Sequence, residues 1–215
     1  MGSGPQIVFN LFGIPVTDTV ISGWIIILGI WFFAASASKK IQMVPSGSQN
    51  VAELYVEAIL DLIEGMIPNQ GKKFLPLIGT IGLYIGVSNL LSVVPFIPIP
   101  TEDLNTTLGI AFLVFIATHY FGIEKKGLDY IKGFAEPSIV MLPMNIVGEL
   151  AKPISLGFRL FGNMVGGSII VAIISMFAPW IIPIPLKAWF DLFVGGLQAF
   201  IFTILPIAYI SIARN

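Results

Sequence analysis

AKPISLGFRLFGNMVGG, residues Ala151 to Gly167, is the stretch on which the reading turns. It lies within a long apolar segment and carries an arginine, Arg159, with no acid beside it. A charge in hydrocarbon costs about 2.5–3.5 kcal/mol on insertion scales. A chain keeps such a group when something pairs with it or when it works on an ion. The remaining segments then read as a scaffold that holds Arg159 at membrane depth.

Composition agrees. Of 215 residues, 56% are hydrophobic and 11% charged, where a soluble domain carries about 25% charged residues. The pattern predicts an all-α membrane protein forming one domain over residues 1–215, with no separate soluble unit. A net charge of −1 implies no polyanionic partner, so nucleic acid is not expected. Cysteine is absent, which excludes disulfides and thiolate sites. No Lys or Arg precedes Lys39, so the first apolar run lacks the basic start of a signal peptide. Gln6 stands where a myristoylation motif needs Ser or Thr.

Working outward, five membrane-embedded segments and one interfacial helix are expected. The first segment covers about Val20 to Ala37, closed by Lys39 and Lys40, and suits a core of ~30 Å. PSGSQN (Pro45 to Asn50) is a turn that starts a helix. From Val51 to Ile63 the pattern is amphipathic: Val51, Leu54, Tyr55, Ala58 and Leu62 share one face, and Glu53, Glu57, Asp61 and Glu64 lie away from it. The second segment is about Phe74 to Val94, and the third about Leu104 to Ile123, followed by Lys125 and Lys126. The Pro-rich loop between them holds Glu102 and Asp103. A connector with Lys132 and Pro137 leads to the fourth segment, about Pro143 to Phe177. At 1.5 Å per residue its roughly 35 residues reach ~52 Å, too long to stand upright in the core. It must tilt, kink or lie partly in the membrane plane, with Pro153 as the candidate kink. PWIIPIP (Pro179 to Pro185) breaks the helix, and a fifth long segment follows, about Lys187 to Ala213. The last two segments are expected to form a strongly tilted hairpin. Lys39, Lys40, Lys125, Lys126 and Arg214 fall on one side, Glu102 and Asp103 on the other. The positive-inside rule then puts the N-terminus outside and the C-terminus in the cytoplasm.

Helical spacing aligns Ser155, Arg159, Asn163 and Gly166 along one stripe, with Lys152 on nearly the same face. Gly157, Gly162, Gly166 and Gly167 are small enough to admit another backbone closely. Arg159 either meets a moving or tightly packed partner or pairs with an internal carboxylate. Asp191, Gly195, Gln198 and Phe202 share a face of the fifth segment. If the hairpin forms, Asp191 and Gln198 approach Asn163 and Ser168, giving a polar file from the outer surface. The other role open to Asp191 is a cap or a pair with Lys187. Glu149 and Lys152 either pair to lower the cost of burial or line an inner path. His119, the single histidine, is a packed side chain or a relay. No phosphate-cradling loop, metal-ligand cluster or nucleophile–base pair is visible. No cofactor, bound nucleotide or covalent chemistry is expected. Transport by the chain alone, as a channel or secondary transporter, is the alternative reading, and an ion-inert scaffold is another.

RLFGN (Arg159 to Asn163) within KPISLGFRLFGNMVGG resembles the signature of subunit a of F-type ATP synthases. PSGSQN, DLNTT (Asp103 to Thr107) and LQAFIF (Leu197 to Phe202) agree with it, so the resemblance runs from the first span to Tyr209. It implies a stator channel in an energy-coupling membrane, the bacterial plasma membrane. The implied partners are the c-ring, the peripheral-stalk b subunits and the lipid bilayer. Arg159 matches the family's essential arginine, which faces the c-subunit carboxylate. Asn163 and Gln198 match polar positions near the outer half-channel, and Ser155 one on the inner side. Many members carry Glu where this chain has Ser168. Asp191 lies seven residues before the LQ glutamine, where relatives have His, Gly or an acid. The resemblance therefore implies that the titratable group has moved across the helix pair to Asp191.

Overall fold

The computed structural model describes residues 5–11, 13–39, 41–94, 97–134, 138–178 and 182–214. Lys40, Pro137 and the Pro179–Ile181 part of the expected helix break lie outside the described residues. Among the described residues the secondary structure is helical apart from an antiparallel hairpin near the start, β1 (Ile7–Leu11) and β2 (Ile14–Thr17). The expected segments did not include this hairpin. Gly13 supplies its positive φ of 84°.

Among the described residues, five helices are long and apolar enough to cross a membrane. The first is α1 (Asp18–Ser38). The amphipathic α2 (Ser48–Met66) follows, then α3 (Gly71–Leu90), which tightens into a 3₁₀ turn over Leu91–Val93. A second 3₁₀ turn, Pro100–Glu102, leads into α4 (Leu104–Lys126), capped by Asp103, whose side chain accepts from the Asn105 N–H at 2.9 Å. The connector holds a short helix not expected from its composition, α5 (Leu128–Gly133). The 36-residue α6 (Leu142–Phe177) runs unbroken through Pro153. The last crossing joins α7 (Pro183–Ala188), a π-helical stretch (Trp189–Val194) and α8 (Gly195–Arg214). Pro183 to Pro185 therefore start this helix, where the sequence suggested a break. Proline at the first helical positions gives up only amide protons that a helix leaves free anyway.

Helix α8 threads two packed clusters. Toward one end, Ile207 and Ile210 meet Phe74 and Ile78 of α3 and Ile59 and Ile63 of α2. Toward the middle, Phe202 meets Ile81 and Ile85 of α3, Ala111 and Val114 of α4, and Leu156 and Leu160 of α6. In lipid the packing of these side chains, more than withdrawal from water, holds helices together. The buried ridge of α2 is Ile59 and Ile63; Val51, Leu54 and Ala58 are exposed, so the inward face is rotated from the one expected. Phe74 and Ile78 select that ridge. Glu57, Asp61 and Glu64 are exposed, as their spacing indicated. On α1, Trp24, Ile25, Leu28, Trp31 and Phe32 are exposed, as suits a lipid-facing helix.

Each end of the bundle is tied by polar contacts. At one, Arg214 donates to Gln70 Oε1 at 2.6 Å, and Lys73 pairs with Glu124 at 2.5 Å. At the other, Thr19 Oγ1 donates to Asp103 Oδ2 at 2.7 Å, joining the starts of α1 and α4. These ends carry the opposite charge patterns from which the orientation was read.

Candidate functional site

Helix α6 has two faces. Pro153, Leu156, Gly157, Leu160, Met164 and Gly167 are buried. Ser155, Arg159, Gly162 and Asn163 are exposed on the other side. The four glycines divide accordingly. A Cβ at Gly157 would lie 2.7 Å from Leu108 Cδ2 and 3.2 Å from Leu108 Cα, so α4 lies tightly against it. One at Gly167 would lie 3.0 Å from the Phe190 ring. At Gly162 and Gly166 nothing approaches within 4 Å. The sequence-level picture of one small-residue surface is thus corrected: Gly157 and Gly167 close the chain's own packing, while Gly162 and Gly166 stay open beside Arg159.

Arg159 makes no ion pair with an acid among the described residues. Its guanidinium is exposed on an apolar helix, flanked one turn away by Ser155 and Asn163.

Two polar regions lie at the two ends of the Arg159 stripe. Toward the N-terminal part of α6, a cavity of about 430 Å³ is lined by Lys126, Asp129, Asn145, Glu149, Lys152 and Tyr209, among others. Glu149 and Lys152 pair at 2.5 Å, and the Lys152 ammonium lies 5.6 Å from the centre of the Tyr209 ring. The two residues form the ion pair that their spacing allowed, and both line this cavity. Asn145 is fixed by donating to the Phe134 carbonyl at 2.9 Å. His119 lies nearby as a packed residue, its Nδ1 2.7 Å from the Tyr130 hydroxyl and its ring edge-on to Phe115.

Toward the C-terminal part of α6, Ser168 donates to Glu102 Oε1. Asp191 is buried in the π-helical stretch and pairs with Lys187 at 3.1 Å, without hydrogen-bond alignment on Oδ2. The pair forms despite the less favourable Lys-before-Asp order, because a buried carboxylate left alone costs more. Asn89 donates to the Gly195 carbonyl at 2.8 Å where the π-helical stretch ends, and Thr101 donates to Asn89 Oδ1 at 2.8 Å. Gln198 is 2% exposed, and its Nε2 has no hydrogen-bond partner among the described residues. Burial holds the Glu102 carboxyl above the usual carboxylate range. Asp191 adds to the rise, while the Ser168 hydrogen bond and Lys187 oppose it.

Glu102 is the residue sequence reasoning missed as part of this site. It was read only as an orienting charge, yet it meets Ser168 across 66 positions. The signal available was its place beside Asp103, in a turn that opens a span.

The family model described as ATP synthase A chain matches residues 19–211. The chain belongs to that family. ATP synthase subunit a of Moorella thermoacetica is 37% identical over 208 residues, covering 96% of this chain and 95% of the relative. ATP synthase subunit a 2 of a Bradyrhizobium species is 35% identical over 208 residues, covering 96% and 93%. ATP synthase subunit a of Citrifermentans bemidjiense is 39% identical over 199 residues, covering 90% and 86%. With its five crossing helices, this member is a multi-pass membrane subunit of an ATP synthase.

Proposed function

We propose that the chain is the ion-translocating stator of a rotary F-type ATP synthase, and that Arg159 acts on the carboxylates of a rotating c-ring. The observation that carries this reading is the unpaired, exposed Arg159 lying between two polar regions on one helix. Lys152 precedes it by about 10 Å along α6 and Ser168 follows by about 13 Å, at 1.5 Å per residue.

A rotor carboxylate crosses lipid only when neutral. Beside Arg159 the ionised form is favoured, because an opposite charge within ~4–6 Å lowers a carboxyl pKa. The released ion leaves by one route, and the site reloads from the other after the rotor steps. The inner route opens through the Glu149–Lys152 cavity and passes Ser155. The outer route enters at Ser168 and Asp191 and passes Gln198 and Asn163. Between them the fixed cation blocks direct leakage. A guanidinium suits this post because it stays charged where an ammonium can be neutralised. The driving force is about 2.3 kcal/mol per charge for each 100 mV.

In this reading the Lys-rich end faces the cytoplasm of a bacterial plasma membrane, and the end with Glu102 and Asp103 faces outward. α2 lies near the interface, and the b subunits of the peripheral stalk hold the chain against the rotor's drag. Arg159→Ala in the assembled complex is expected to abolish ATP-driven pumping. Normal pumping in that variant would overturn the proposal.

A further inference from the structure

We propose that Glu102 is the carboxylate that takes up and passes on protons in the outer route, oriented by Ser168, while Asp191 is engaged in its ion pair with Lys187. The inference rests on the stator reading above and names which acid of the outer cluster exchanges the proton.

Fixing comes first. Glu102 ends a 3₁₀ turn whose two neighbours are both tied down. Thr101 donates to Asn89 at 2.8 Å, and Asp103 accepts from Thr19 at 2.7 Å while capping α4. The backbone at Glu102 is therefore held from both sides, and its side chain reaches α6 at Ser168. A group that hands on protons needs such a set position, since transfer works only over hydrogen-bond distances.

Charge comes second. Asp191 already has a charged partner of its own, the Lys187 ammonium 3.1 Å away. Glu102 makes no ion pair among the described residues; its partner is a hydroxyl. Burial and the nearby Asp191 charge favour the protonated form of Glu102, against the Ser168 hydrogen bond and Lys187. A carboxyl displaced toward working pH alternates readily between its two forms.

The step balances simply. The Glu102 carboxylate takes a proton from outer water, with the Ser168 hydroxyl turning to suit either form. The acid then releases it to water in the route, and the proton ends on a rotor carboxylate vacated at Arg159. Gln198 is buried, and its amide donor has no partner among the described residues.

The test uses the assembled ATP synthase in vesicles, with ATP-driven proton uptake followed by a pH-gradient dye. Glu102→Gln is expected to slow uptake about ten-fold or more, the scale of a lost general acid–base group. Glu102→Asp is expected to retain most of the rate and shift its pH profile toward acid. The decisive variant exchanges the touching pair, Glu102→Gln with Ser168→Glu, which returns a carboxylate to the same contact and is expected to restore uptake. Unchanged uptake in Glu102→Gln overturns the proposal. So does failure of the exchanged pair to assemble or to pump, since Glu102 then serves only as a structural post. Arg159→Ala, run in parallel, separates the two claims: if it abolishes pumping while Glu102→Gln does not, the stator reading stands and this inference falls.

Discussion

Gly157 and Gly162 are five residues apart on one helix and should respond oppositely to the same change. Gly157→Val would set carbon atoms 2.7 Å and 3.2 Å from Leu108, where carbon contacts prefer ~3.5–4.0 Å. The Cδ2 atom can swing aside, but Leu108 Cα is backbone, so α6 must recede from α4. Overpacking of this kind costs about 1–3 kcal/mol, and removing a helical glycine returns only a few tenths. The assembled complex should therefore lose thermal stability. Gly162→Val meets nothing within 4 Å in its own chain, so stability should hold or rise slightly. If a rotor helix packs there, however, each passing subunit meets the same ~1–3 kcal/mol penalty. As a barrier this slows turnover about 5- to 150-fold. Thermal unfolding of the purified complex and dye-monitored pumping separate the two effects. Full pumping by Gly162→Val would refute the argument that this face is the rotor's track.

Two further outcomes concern the scaffold. Asp103→Ala removes the cap of α4 (about 0.5–2 kcal/mol) and the Thr19–Asp103 hydrogen bond (about 0.5–1.5 kcal/mol), leaving the Thr19 hydroxyl to Thr17 Oγ1 at 2.8 Å. Together these should detach the start of α1, seen as faster proteolysis near residue 19, with Asp103→Asn much milder. Tyr55 donates to the Gly79 carbonyl at 2.6 Å, and burial pushes its phenol from 10.0 up to about 12. A raised phenol favours the folded state up to the unfolded value, and this contribution is lost as pH climbs through the folded one. Stability should therefore fall between about pH 10 and 12, tracked by tyrosinate absorbance, and Tyr55→Phe should flatten that decline.

Segment content was legible where the sequence repeats one physical demand for long enough. The bounds of α6 follow from a long, predominantly apolar run, and the Arg159 stripe follows from helical spacing alone. What escaped depends on partners far along the chain. No local pattern says that Leu108 sits on Gly157 while Gly162 is bare. Nor does any say that Ile59 and Ile63, rather than Val51 and Leu54, meet α3. Seven-residue spacing put Asp191 and Gln198 on one face, and both are buried. Spacing could not reveal the π-helical stretch, nor that Lys187 reaches Asp191 while Glu102 reaches Ser168. The N-terminal hairpin did leave a trace, two short β-prone runs around Gly13. Beside five long apolar segments that trace was weak.

The bare guanidinium has a consequence for how the enzyme is built. Until another subunit covers it, the newly inserted chain carries a lone cation in its bilayer-facing wall, a penalty of about 2.5–3.5 kcal/mol. On the proposed reading, docking onto an acidic ring would remove that burden at once. The residue proposed to act on the rotor would then also mark an orphan copy as incomplete, favouring assembly over idle survival in the membrane.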